Sequence, residues 1–155
     1  MNTSTSKEVR RTLQLCCELE REMGDLYRDF AGLHADDVEL ARLWLKTARE
    51  EDNHAKQFEL ALLYREEIAA TSISPSEAGA LLAAAREKRQ GAVDSAPSPE
   101  QALRFAIELE ERFASFHMTA VGIFKTPKLK GLFESMMAAD RDHVGALEGA
   151  LRNRS

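Results

Sequence analysis

Glu18-Leu19-Glu20 and Glu51-Asp52-Asn53-His54 return along the chain as Glu108-Leu109-Glu110 and Asp140-Arg141-Asp142-His143, at offsets of 90 and 89 residues. In each copy the acidic residue lies mid-way along a segment whose apolar residues recur at i, i+3, i+4 and i+7. That spacing marks a helix with one face toward a core. The first segment, residues 6–33, places Val9, Leu13, Cys16, Glu20, Met23, Tyr27 and Phe30 on one stripe. The second, 37–69, carries Leu40, Trp44, Ala48, Glu51, His54 and Phe58. The third, 99–124, carries Leu103, Ala106, Glu110, Phe113, His117 and Val121, and the fourth, 127–151, Leu129, Phe133, Met136, Asp140, His143 and Leu147.

The breaks between segments have a mechanism. Ser98-Pro99 and Thr126-Pro127 each put a capping side chain before a proline at the first helical position. Ser74-Pro75-Ser76-Glu77 has capping-box spacing, which predicts an extra helix over about 75–89, followed by a small-residue linker to Ser98. A short loop makes neighbouring helices antiparallel, whereas a long connection can travel the length of a bundle. The expected fold is therefore all-α: one four-helix domain over residues 1–155, two antiparallel hairpins joined by a crossover, 70–98.

Composition agrees. Only 8 Gly and 4 Pro leave little punctuation for the many turns of an all-β fold, and 155 residues suffice for one real core. Acidic and basic residues interleave to a net charge of −5, with no basic stripe to attract nucleic acid. No apolar run approaches the ~20 residues of a membrane span, and the polar start, Met1 to Ser6, has no signal-peptide character; a cytoplasmic protein is expected. Cys16 and Cys17 are adjacent, point about 100° apart on a helix, and read as unbridged core residues. Apolar residues at 78–85, with Leu60, Leu63 and Ile68, offer surface either to a homodimer partner or to the crossover packing back on its own bundle.

Each of the four stripes is thus interrupted near its centre by a carboxylate: Glu20, Glu51, Glu110 and Asp140. Two are followed on the same face by His54 and His143, and residues at i and i+3 can grip one ion from one helix. Buried carboxylates left unpaired cost several kcal/mol, and converging ones repel besides. No Lys or Arg lies on the stripes to match them. A bound metal answers this, and a mixed oxygen and nitrogen set suits iron, manganese or zinc. Shared between two ions, four carboxylates neutralise about four positive charges. Glu50 falls off the stripe of His54; Glu18 and Glu108 read as a wetter face; Glu111 and Asp142 are the neighbours that compete with the chosen set.

Taken in order, these residues resemble the rubrerythrin branch of the ferritin-like superfamily, whose ligand scheme is a Glu from each of two helices and a Glu-x-x-His from each of the others. The resemblance rests on Glu20 with Tyr27, on Glu50-Glu51-Asp52-Asn53-His54-Ala55, on Ala106-Ile107-Glu108-Leu109-Glu110 with Phe116, and on Asp140-x-x-His143. It implies a ferritin-like bundle holding two iron ions, with Glu51 and Asp140 bridging, Glu20 and Glu110 terminal, and His54 and His143 as nitrogen ligands. It also implies an oxidoreductase that reduces hydrogen peroxide or reacts with oxygen, and a Tyr27 that hydrogen-bonds a ligand carboxylate. Three departures stand out. Asp140 replaces the usual glutamate, and His117 occupies the position equivalent to Tyr27, as a hydrogen-bond donor or an extra ligand. No rubredoxin-like module is present, so turnover needs a separate electron-donor protein. The alternatives are an iron-handling protein without turnover and a structural bundle with a degenerate site.

Overall fold

The computed structural model describes residues 5–113, 116–138 and 143–154, and for residues 137, 138 and 143 the backbone only. Helix α1 (Ser6–Leu33) starts at a full capping box between Thr5 and Glu8, and α2 (Val38–Leu63) starts at Asp37, whose side chain accepts from the Leu40 amide. Arg28 pairs with Asp52 and Arg21 with Glu59. Two turns back along α1 is thus two turns forward along α2, and the hairpin is antiparallel. Among the described residues its seam is the largest contact between helices.

Helix α3 (Pro75–Ser95) starts at the expected Ser74 cap and lies along the outside of α1 in the same direction. Arg86 pairs with Glu18 and Glu22, and Arg89 further along pairs with Glu22, Asp25 and Asp29. Ala78, Leu82 and Ala85 bury the apolar side of α3, so that stretch of the expected partner surface is taken up by the chain's own bundle. Helix α4 (Pro99–Arg112), capped by Ser98 and Gln101, runs antiparallel to α1: His34 meets Pro97, Phe30 meets Phe105, and Tyr27 meets Glu110. After a short helix α5 (Met118–Val121), α6 (Pro127–Ala138) and α7 (His143–Arg152) follow. Helix α7 packs on α4, and Arg154 beyond its end pairs with Asp37 at the α1–α2 turn. The long connection between α2 and α4 therefore travels the length of the bundle, as its length predicts.

Three expected boundaries change. The second helix stops at Leu63 rather than near residue 69, because a 3-10 turn (Arg65–Glu67) leads into a strand, β1 (Ile68–Thr71). The third stops at Arg112 rather than near 124, and the chain after α5 forms β2 (Gly122–Phe124). The extra helix runs to Ser95 rather than 89. β1 and β2 pair antiparallel, Ile68 opposite Phe124 and Thr71 opposite Gly122, with a bulge between Ile68 and Ala70. The all-α expectation thus gains a two-stranded ribbon, for which the β-branched Ile68, Thr71 and Ile123 are suited.

Gly122 opens β2 where a Cβ would meet the Phe124 ring at 3.1 Å, the Met118 carbonyl at 3.2 Å and the Met118 methyl closer still. Gly122→Ala should lower stability by about 1–3 kcal/mol through overpacking, seen as a lower denaturant midpoint at unchanged slope. Among the described residues, no helix is long and apolar enough to cross a membrane.

Candidate metal centre

The inner face of α1 carries Leu13, Cys16, Glu20, Met23 and Tyr27, all buried. Facing it, α2 contributes Ala48, Glu51, His54, Ala55 and Phe58. The helices come close here: the Cys17 thiol donates to the Ala55 carbonyl at 3.5 Å. Small Ala48 and Ala55 flank the acid and the imidazole and leave room between the helices for polar side chains. Glu20, Glu51, His54 and Glu110 are each no more than 3% exposed.

His54 Nδ1 lies 3.4 Å from Glu51 Oε2 and 3.5 Å from Glu20 Oε2. His117 sits at the start of α5, with its Nδ1 3.9 Å from Glu20 Oε1 and its ring centroid 4.4 Å from that of His54. Tyr27 is fully buried and donates to Glu110 Oε1 at 2.5 Å. One ligand atom each from Glu20, His54 and His117 lie within 4.8 Å of one another. Donors held tetrahedrally at ~2.1 Å from one ion stand ~3.4 Å apart, so side-chain shifts of about an ångström close this set on an ion. Two imidazoles and a carboxylate are the donors that zinc, iron and manganese accept.

The electrostatics are those of a site short of positive charge. Burial, then the negative charge of Glu20, push the Glu51 carboxyl up to about 7, against the opposing pull of His54. Burial drags His54 down, but hydrogen bonds to Glu20 and Glu51 and their charges outweigh it and raise it to about 10. The Tyr27 hydroxyl is held well above its ordinary range, first by burial and then by Glu110 and Glu51. Burial, with Glu20 next, pushes Cys16 up to about 12. Raised values at Glu51, His54 and Tyr27 are those of a buried cluster that favours holding protons.

The structure therefore gathers Glu20, Glu51, His54, Glu110 and Tyr27 with His117. Asp140 lies outside the described residues, as does the side chain of His143. His117 stands directly beside Glu20 and His54, at the start of α5 and beyond the end of α4 at Arg112. The apolar spacing marked His117 as inward-facing; the break that brings it this close has no sequence signal of its own. Glu50 is also buried, though more exposed than Glu51, and Glu18 and Glu108 face outward as expected. His34 carried no role in the sequence, yet it receives a hydrogen bond from Trp44 Nε1 on Nδ1 and meets the Pro97 carbonyl through Nε2. It ties the α1–α2 turn to the end of the crossover. Comparison of the chain with protein-family models, with curated proteins and with solved structures finds no match.

Proposed function

We propose that this chain is a ferritin-like metal-carboxylate protein of the rubrerythrin kind, holding two iron ions and reducing hydrogen peroxide or reacting with oxygen. Manganese or zinc would substitute for iron, and a separate donor protein would supply electrons. One observation carries the reading: Glu20, His54 and His117 converge from three elements inside an apolar interior, with Glu51 and Glu110 beside them. Asp140 and His143 are the sequence's candidates to complete a second ion position. When bound, the metal supplies electrons and Lewis acidity for O–O bond cleavage.

The chain's own residues do the rest. Tyr27 fixes the rotamer of Glu110 through its hydrogen bond, the kind of outer support that holds a ligand carboxylate in place. Phe58, Leu19 and Trp44, all buried, keep bulk water out and raise the worth of each charge inside. His54 holds a proton in the metal-free protein and must release it for Nδ1 to bind an ion, so loading expels protons.

A second reading has its own support. Glu20, His54 and His117 alone are a two-imidazole, one-carboxylate set, the donor pattern of single-ion non-haem iron(II) sites. Metal analysis of protein purified without chelator separates the two. About two ions per chain fit the paired centre, and one fits the triad. In either case His54→Ala and His117→Ala should each lose most of the bound metal while the helical circular dichroism stays. Unchanged metal content in both variants, or none in the parent after anaerobic iron loading, sinks the proposal.

A further inference from the structure

Trp44 is the chain's single tryptophan, and it stands between the candidate centre and the turn joining α1 to α2. On one side it stacks on Tyr27, ring centroids 5.8 Å apart and planes 11° from parallel. Tyr27 in turn donates to Glu110, a carboxylate of the centre. On the other side Trp44 Nε1 donates to His34 Nδ1 at 3.2 Å, and His34 Nε2 meets the Pro97 carbonyl at 3.1 Å. A carbonyl only accepts, so Nε2 carries the hydrogen and Nδ1 the lone pair. Pro97 lines a surface groove with Lys88, Ser95, Gln101 and Phe105.

We infer that Trp44 and Tyr27 form a relay that passes single electrons from a one-electron donor at the Pro97 end of the bundle to the candidate centre. This rests on the metal reading above and deepens it, giving the separate donor an entry route. Indole and phenol are among the side chains most easily oxidised by one electron, and oxidation makes the N–H and O–H much more acidic. A ring that is to be oxidised and restored therefore needs a base in contact with its N–H or O–H. A ring that only fills space is as well served by a backbone carbonyl. Here both rings are completely buried, they are stacked, and each hydrogen points at a base: Glu110 for Tyr27, His34 Nδ1 for Trp44.

The steps balance. An oxidant at the centre, hydrogen peroxide in the reading above, takes one electron from Tyr27, whose hydroxyl proton moves to Glu110. Trp44 gives Tyr27 an electron; Glu110 returns the proton to the phenol oxygen, and the indole N–H proton moves to His34 Nδ1. The donor then reduces the indolyl, and His34 hands the proton back. Each passage moves one electron inward and leaves the four side chains unchanged. Two passages, with two protons from solvent, reduce one peroxide to two waters.

The relay is testable in the metal-free protein, apart from whether metal binds. A ruthenium photo-oxidant is attached through Ser95→Cys, an exposed position in the Pro97 groove, with Tyr64→Phe leaving Tyr27 as the one tyrosine. After a flash with an external quencher, the indolyl absorption band should rise first and give way to the phenoxyl band. Tyr27→Phe should leave the indolyl band to persist. Trp44→Phe should slow phenoxyl formation by at least an order of magnitude, and His34→Phe should slow indolyl formation, since the proton then has no base to receive it. Tyr27→Phe removes a single oxygen and keeps the stack, so it reads the relay even if Trp44→Phe fails to fold. No phenoxyl in the parent, or equally fast phenoxyl without Trp44, overturns the relay; absence of metal uptake is a separate measurement and overturns the reading of the centre instead.

Discussion

Glu51→Gln should make the metal-free protein more stable and its metal binding much weaker. The two effects share one cause. Glu51 is completely enclosed, and burial together with Glu20 raises its carboxyl to about 7. Above that pH the wild-type side chain is ionised where its surroundings disfavour charge. Each pKa unit corresponds to ~1.4 kcal/mol, so a neutral amide of the same shape should gain roughly 1–3 kcal/mol at pH 8 without metal, a Tm rise of about 2–10 °C at this chain length. Gln offers a weaker, uncharged oxygen to a cation, and its metal content should fall sharply. Opposite signs in one variant mark a residue kept for binding rather than folding. A Glu51→Gln protein that is less stable without metal and loads normally would mean that the carboxylate is a structural hydrogen-bond acceptor only.

The second large effect is a reversal in the pH dependence of stability on metal loading. In the metal-free protein both Glu51 and His54 have raised values, from 4.5 to about 7 and from 6.5 to about 10. A raised group holds more proton folded than unfolded, so its contribution is complete below the unfolded value and vanishes as pH rises through the folded one. Chelator-stripped protein should therefore lose thermal stability between about pH 5 and pH 10, by several degrees, Glu51 acting over the lower part of that window and His54 over the upper. Loaded protein should do the opposite between pH 5 and 8, because ligands bind metal only after losing protons and bound metal stabilises by mass action. Calorimetry of stripped and loaded protein across this range reads both curves. A stripped midpoint that is flat or rises from pH 6 to 9 contradicts the protonated centre.

Periodicity and caps carried much of the fold. The apolar stripes of α1 and α2, the Ser74, Ser98 and Thr126 starts and the long crossover are local matters of 3.6-residue spacing and backbone hydrogen bonds, and each stands where the spacing puts it. Burial of Glu20, Glu51, His54 and Glu110 follows from the same stripes, since a residue on the inward face of a packed helix has no route to water. Helix ends are decided differently. Tyr64 and Phe113 close α2 and α4 well before the periodic pattern fades, and residues 68–71 and 122–124 pair with each other as strands instead of continuing a helix. Their separation along the chain is too great for any local reading to anticipate it.

The chain's own order of residues determined that acids and imidazoles would meet in a helical core, because periodicity alone sets which side chains face inward. Only the tertiary structure decided which of them share a point in space. His117, beyond the break after Arg112, lies beside Glu20 and His54, and the α1–α2 packing brings Trp44 against both Tyr27 and His34. Such meetings depend on the angles and offsets between elements, which arise from the packing of whole faces and are written in no single segment.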